Sequence, residues 1–257
     1  MKNLVTIHVT SYNRYERLKS CIASFFATNL YDNDSIELVI VDNGSTDARV
    51  TEYIKNLDVP CSSYKYILNE KNDYPNCLRF AKVQAREIAS GKFYIDCPDD
   101  HLFVIKSDWI QRAIDHVHSN EDVGCVIHFA QPEYRYRKQN NKMVLHDEND
   151  AYFKSLLKGY ADYHLMSAAT YESLGDYDYG LGRSSEGEYM ERALSAGYFR
   201  NIMKYPVAIV NDDNFSLSSC ISEEEYTSHF NQFLPVTNEQ LIEFCKRNSA
   251  IRREGAC

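Results

Sequence analysis

Residues 39–47 read V-I-V-D-N-G-S-T-D, and the organisation of the chain follows from this stretch. The β-formers Ile36 to Val41 run into an acid, a tight turn, two hydroxyl residues and a second acid. A buried strand that ends this way delivers Asp42 to its carboxyl end, where open α/β sheets bind their ligands. Gly44 permits a turn that other residues resist, and Ser45 or Thr46 is placed to cap the helix that follows. Two further strand ends have the same character: Thr10-Ser11-Tyr12-Asn13-Arg14 before it, and Asp96-Cys97-Pro98-Asp99-Asp100 after it.

Working outward, residues 4–9 read as a strand. Leu18, Cys21, Ile22, Phe25 and Phe26 then fall on one face of an amphipathic helix. Residues 46–57 predict a second helix, 64–68 a short strand, and 77–89 a helix with Leu78, Ala81, Ala85 and Ile88 on one face. Gly91 reads as its terminating glycine, and 93–95 as the next strand. Strands alternating with helices imply a parallel sheet with right-handed crossovers. Past residue 105 the spacing predicts a helix over 109–118, a strand over 123–129, and hairpin or loop over 131–150. A helix is expected over 152–158, another over 186–196, strands over 199–203 and 207–210, and terminal helices from 222 onward. The expected architecture is one domain over 1–215 plus a C-terminal helical tail, 216–257. Within the domain, 1–105 forms a nucleotide-binding half and 106–215 an acceptor-binding half on one continuous sheet.

Composition narrows the class. A chain of 257 residues buries roughly 70–75% of the surface its unfolded form exposes, so it needs no disulfides. The net charge of −9, from 37 acids and 28 bases, argues against a nucleic-acid partner, which calls for a basic face. It still allows a local basic pocket for a diphosphate. Eight cysteines are scattered without a C-x-x-C pair or zinc spacing. They read as reduced core residues, and the expected location is cytoplasmic. No apolar run nears the roughly 20 residues needed to span a bilayer, and no signal peptide is legible.

The order of these pieces resembles the family 2 glycosyltransferases, which have the GT-A fold, across about residues 3–212. Five segments carry the resemblance. They are Thr10-x-Tyr12-Asn13-Arg14; Asp42-Asn43-Gly44-Ser45-x-Asp47; Ala85-Arg86 with Ala89-Ser90-Gly91-Lys92-Phe93; Pro98-Asp99-Asp100; and Gly175-Asp176-Tyr177-Asp178 followed by Ser185-Glu186-Gly187-Glu188 and the run from Arg192 to Tyr198. The resemblance implies a Rossmann-like, mostly parallel sheet flanked by helices. It also implies a metal-dependent, inverting transfer of a sugar from a nucleotide-diphosphate donor, a UDP-sugar by expectation, to a hydroxyl of a glycan or glycoconjugate acceptor.

By the same resemblance Asp42 accepts the N3–H of a uracil, and Thr10, Tyr12 and Arg14 line the base and ribose side. Asp100 is the metal ligand, for Mn2+ or Mg2+, because hard carboxylate oxygen suits such ions. Asp99 holds the ribose or reaches the metal through water. Pro98 replaces the first acid of the stricter D-x-D form, and Asp96 reads as structural. An inverting transferase needs a base for the acceptor hydroxyl. Glu186 heads the apolar stripe Met190, Ala193, Leu194 and Gly197 and so faces the cleft; the commoner residue there in the family is aspartate. Glu188 heads the polar face, completes a capping box with Ser185 and pairs i,i+4 with Arg192. A third metal ligand would fall near Asn211, Asp212 and Asp213, with His101 and His164 as other candidates. Tyr134, Tyr136, Tyr160 and Tyr163 are candidates to stack on sugars. Lys246, Arg247, Arg252 and Arg253 form a basic tail that could touch an anionic membrane. The alternatives are a non-catalytic nucleotide- or carbohydrate-binding derivative and a sugar-nucleotide nucleotidyltransferase; the latter wants a glycine-rich loop that Thr10–Arg14 lacks.

Overall fold

A computed structural model describes residues 4–72, 77–103, 106–119, 125–128, 152–155, 164–178, 185–203 and 207–210. Strands β1 (Val5–Ser11), β2 (Ile36–Asp42), β3 (Ser63–Leu68) and β4 (Phe93–Pro98) lie in the order β3-β2-β1-β4, all parallel. Both β1 and β2 are buried along their whole length, because helices cover both faces. On one face, Val5, Ile7, Val9, Leu38 and Ile40 pack with apolar residues of α1 (Tyr15–Thr28), α2 (Ala48–Lys55) and α4 (Trp109–His118). On the other, Val39 and Val41 meet Ala81 and Ala85 of α3 (Cys77–Ile88). Period-2 strands set against period-3.6 helices give this two-sided core.

The sheet continues from β4 into β8 (His164–Ser167), β6 (Cys125–His128), β9 (Phe199–Met203) and β7 (Tyr152–Ser155), eight strands among the described residues. β8 runs antiparallel to both β4 and β6, β6 and β9 are parallel, and β7 closes the edge antiparallel to β9. Helices α5 (Ala168–Leu174) and α6 (Ser185–Ser195) build a second cluster from Met166, Tyr171, Leu174, Tyr177, Tyr189 and Ala193. A separate two-stranded sheet joins β5 (His101–Phe103) to β10 (Ala208–Val210). The nucleotide-type α/β layout and the single continuous sheet are as expected.

Three local expectations are corrected. Residues 152–155 form a strand, not the start of a helix: the β-formers Tyr152 and Phe153 take up the free ladder of β9, and that pairing outweighs the helical spacing of the neighbouring apolar residues. Helix α2 begins at Ala48, and its cap is Asp47, whose side chain accepts from the Arg49 amide; neither Ser45 nor Thr46 caps it. Gly91 does not end α3 through a left-handed turn. A Cβ there would lie 2.5 Å from Thr6 Oγ1 and 2.6 Å from Thr6 N, so the glycine is required by a close approach to β1. Strand β8, four residues, and helix α5, seven, are too short to announce themselves by period. The expectations for 131–150, for Tyr134, Tyr136, Tyr160, Tyr163, Asn211, Asp212 and Asp213, and for the C-terminal tail lie outside the described residues.

Candidate active site

The parallel strands β1, β2 and β4 end together, and their following loops are tied into one rim. Asn43 N donates to Ser11 O at 2.8 Å, Asn69 N to Asp42 O at 3.0 Å, and Asp99 N to Thr10 O at 3.3 Å. Asn13 is the clasp. It sits at φ +54, a left-handed conformation asparagine tolerates. Its Oδ1 accepts from the Thr46 and Asp47 amides at 2.8 and 3.0 Å, and its own amide donates to Ser45 Oγ at 2.8 Å. Gly44, at φ +78, lets the backbone of Lys71 and Asn72 close over this turn; a Cβ there would come within 2.3 Å of Lys71. Tyr12 stands on the rim, 38% exposed.

Asp42 is buried, and Ser45 engages both its carboxylate oxygens, the hydroxyl on Oδ1 and the amide on Oδ2. Burial raises its pKa, with the Ser45 and Gly44 hydrogen bonds opposing the rise. A carboxylate oxygen accepts more than one hydrogen bond, so the turn contact and a nucleobase contact are compatible.

Asp99 and Asp100 follow β4 at the mouth of the sheet, 2% and 7% exposed. Ser11 Oγ donates to Asp99 Oδ2 at 2.8 Å and Arg14 to Asp99 Oδ1 at 3.2 Å; the same Arg14 nitrogen lies 3.5 Å from Asp100 Oδ2. Burial pushes the Asp99 carboxyl up to about 7, with Arg14 opposing the rise and Asp100 adding to it. Asp100 Oδ1 is buried and accepts no hydrogen bond among the described residues. His101 Nδ1 lies 3.5 Å from that oxygen, yet donates to Pro98 O at 3.1 Å, since a carbonyl can only accept. An uncommitted, inward carboxylate oxygen is what a hard divalent ion uses. Among the described residues no three His, Cys, Asp or Glu side chains are grouped to hold a metal. Strand β10 pairs Val210 with His101, the residue after Asp100.

Thr10 departs from its expected role. Its side chain is buried and bonds His8 Nε2 at 3.0 Å, on the α3 face of the sheet. Ser11, not Thr10, reaches the carboxylates. The strand's own alternation carries that signal: Val5, Ile7 and Val9 form one row, which Ser11 continues, and Thr6, His8 and Thr10 form the other. Asp96 is structural, as expected. It is buried, with Lys82 Nζ at 2.7 Å and His8 Nδ1 at 3.5 Å. His164 is fully buried and pairs through Nε2 with Tyr171 Oη at 2.7 Å, so it belongs to the core.

The remaining expected site residue, Glu186, lies on α6. The segment before it is anchored twice: Asp176 pairs with Arg86, and Tyr177 stacks on Tyr189 at 4.3 Å, with Lys82 Nζ 5.5 Å from the Tyr177 ring centroid. Glu186 lies in the first turn of α6, one turn before the buried Tyr189 and two before the buried Ala193. Glu188 binds Arg192 through both carboxylate oxygens at 2.8 Å, and Arg192 reaches the carbonyls of Leu174 and Asp176. Two carboxylates on one helix therefore divide, with Glu188 committed to structure.

A Rossmann-like sheet with an acidic pair at the mouth of its central strand defines a nucleotide-sugar transferase class, and the comparisons agree. The sequence pattern of Glycosyl transferase family 2 matches residues 6–175, about two thirds of the chain, and the chain belongs to that family. It is a glycosyltransferase. Among curated proteins no sequence matches it. Among solved structures it resembles S. aureus TarS 1-349 in complex with UDP (TM-score 0.61, 14% identity, covering 90% of this chain and 69% of that one). It also resembles the same TarS fragment with UDP-GlcNAc (TM-score 0.61, 14% identity, 81% and 58%). A third resemblance is to the mannosyltransferase PcManGT from Pyrobaculum calidifontis with GDP-Man and Mn2+ (TM-score 0.58, 14% identity, 100% and 77%). No helix among the described residues is long and apolar enough to cross a membrane.

Proposed function

We propose that the chain is an inverting transferase that moves a sugar from a nucleotide-diphosphate donor, UDP-linked by preference, to a hydroxyl of a glycan or glycoconjugate, with a divalent ion at Asp100. The observation that carries this reading is the buried Asp99–Asp100 pair with its uncommitted Asp100 oxygen, beside Ser11 and Arg14 at the end of the central strand. An ion held there would neutralise the charge that develops on the departing diphosphate. Asp42 accepts a base imide N–H, Tyr12 offers a ring face, and Asp99, steadied by Ser11 and Arg14, orients the ribose side. Glu186 takes the proton from the acceptor hydroxyl as that oxygen attacks the anomeric carbon. Solved relatives with UDP, UDP-GlcNAc and GDP-Man with Mn2+ support the donor class. The nucleotide half over 1–105, the acceptor half over 106–215 and a membrane contact through the basic tail are part of the same proposal.

Calorimetry of UDP and GDP, each with Mn2+ and with EDTA, tests it. UDP with Mn2+ should bind most tightly, and Asp42→Ala should remove much of the preference for UDP, at about 1.5–3 kcal/mol for a hydrogen bond to a charged group. Equal binding of both nucleotides, or undiminished sugar-nucleotide turnover in EDTA, would reject the uracil or the metal part respectively. Binding of UDP-sugars without any turnover would favour a non-catalytic binding protein.

A further inference from the structure

Arg14 heads α1 with its guanidinium on the solvent side of the carboxylate pair, 3.2 Å from Asp99 Oδ1 and 3.5 Å from Asp100 Oδ2. The anions are buried and the cation is partly exposed. Asp99 and Asp100 are almost fully buried, and Asp99 is pinned from the other side by Ser11; the Arg14 side chain is 39% exposed. Two carboxylates crowded together repel, and the Arg14 guanidinium beside both offsets that repulsion. A divalent ion on Asp100 Oδ1, the other oxygen of the carboxylate that Arg14 faces through Oδ2, would put three positive charges within a few ångströms, where like charges interact strongly in partly buried surroundings.

We propose that Arg14 is a built-in counter-ion that competes with the divalent ion for the Asp99–Asp100 pair and transfers to the donor's diphosphate when it arrives. A guanidinium suits both partners, because its planar fork matches carboxylate and phosphate oxygens alike. The ion alone then binds weakly, and a nucleoside diphosphate strengthens it by giving the arginine another anion. Linkage makes the effect reciprocal: the ion strengthens the nucleotide by the same factor. Arg14 is in this sense a positioning residue that couples metal to donor. The inference rests on the metal-dependent reading above.

The test is Mn2+ binding to the full chain, followed by electron paramagnetic resonance with and without UDP, in wild type, Arg14→Gln and Arg14→Lys. Without nucleotide, Arg14→Gln should bind Mn2+ about tenfold more tightly, the low end of what a neighbouring unit charge does to an ionic equilibrium. UDP should then enhance Mn2+ binding less than in wild type. Arg14→Lys keeps the charge and should stay near wild type. Arg14→Gln should also melt lower than wild type without metal and recover more on adding Mn2+. Should that variant not fold, Arg14→Met, which keeps the apolar stem, must show the same tightening. Wild-type Mn2+ binding that neither neutral variant strengthens overturns the exchange and leaves the metal-dependent reading standing. Equal tightening by the lysine variant overturns it as well, because charge would not be the cause. Absence of Mn2+ binding by wild type with UDP present removes the metal from the proposed function and the exchange with it.

Discussion

Glu188 and Glu186 are two residues apart, and their fates differ because a helix turns between them. Glu188 faces Arg192, and that arginine holds the carbonyls of Leu174 and Asp176, so the carboxylate steadies the segment leading into its own helix. Glu186 stands three residues before the buried Tyr189 and seven before the buried Ala193, the spacing of one helix face. Glu186→Gln should therefore lower turnover by about 10²–10⁴-fold, the usual effect of losing a general base, with UDP affinity little changed. Glu188→Gln should keep turnover and cost about 0.5–1 kcal/mol of stability. Hydrogen bonds from Arg192 hold the Glu188 carboxyl below its ordinary value, with burial opposing. A depressed folded pKa gives stability that is complete above the unfolded value, near 4.3, and is lost as pH falls through the folded one. The gap in melting temperature between wild type and Glu188→Gln should thus be full at neutral pH and close below about pH 4. Turnover of the two variants under saturating donor decides the assignment, and a dead Glu188→Gln beside an active Glu186→Gln would reverse it.

At the level of elements, the site exists because loops are fastened to one another. Asn13 does most of this for the first two strands: one side-chain oxygen serves two amides that precede α2 and would otherwise lack an acceptor. Asn13→Gly keeps the left-handed backbone and removes the clasp; Asn13→Ala removes the clasp and strains the backbone. The alanine variant should lose about 1–3 kcal/mol and the glycine variant less, both read from urea midpoints. Each should also weaken UDP binding, since Tyr12 and Asp42 flank the fastening. A glycine variant that binds UDP as wild type does would show that the rim holds without it. At the opposite end of the sheet, Glu37 takes hydrogen bonds from Thr6 and the Ser90 amide and pairs with Lys65, fixing the turn from α3 to β4.

For the molecule as a whole, the decisive place is the seam between the parallel strands and the mixed ones. Asp96 of β4 lies opposite His164 of β8, at the pair where strand direction reverses. Burial alone would raise the Asp96 carboxyl, but Lys82, His8 and His164 together hold it well below the usual range. Lys82, itself buried, comes from α3 and lies over Tyr177, so one charge pair joins the parallel strands to the segment ahead of α6. Removing one partner of a buried ion pair costs about 3–5 kcal/mol, whereas replacing both with apolar residues costs far less. Lys82→Met should fall in that range by chemical denaturation, and Lys82→Met with Asp96→Leu should regain most of it. A single variant with a wild-type midpoint would show that the seam is held by other contacts.

Strands β1 to β4, β6, β9 and β10, the helices over 109–118 and around Glu186, and the acidic ends of β2 and β4 were determined by the sequence itself, because hydrophobic period and strand-end chemistry are local properties. The match of residues 6–175 to the family pattern reflects the same local order. Only the tertiary structure decided that 152–155 is a strand, since its ladder partner lies far along the chain in β9, where Tyr152 pairs with Met203. It alone decided that Ser11 rather than Thr10 meets Asp99, that Asn13 fastens the rim, and that Gly91 answers to the backbone of Thr6. Period tells which residues share a face, but which neighbour covers that face, and how closely, depends on segments far apart in the chain.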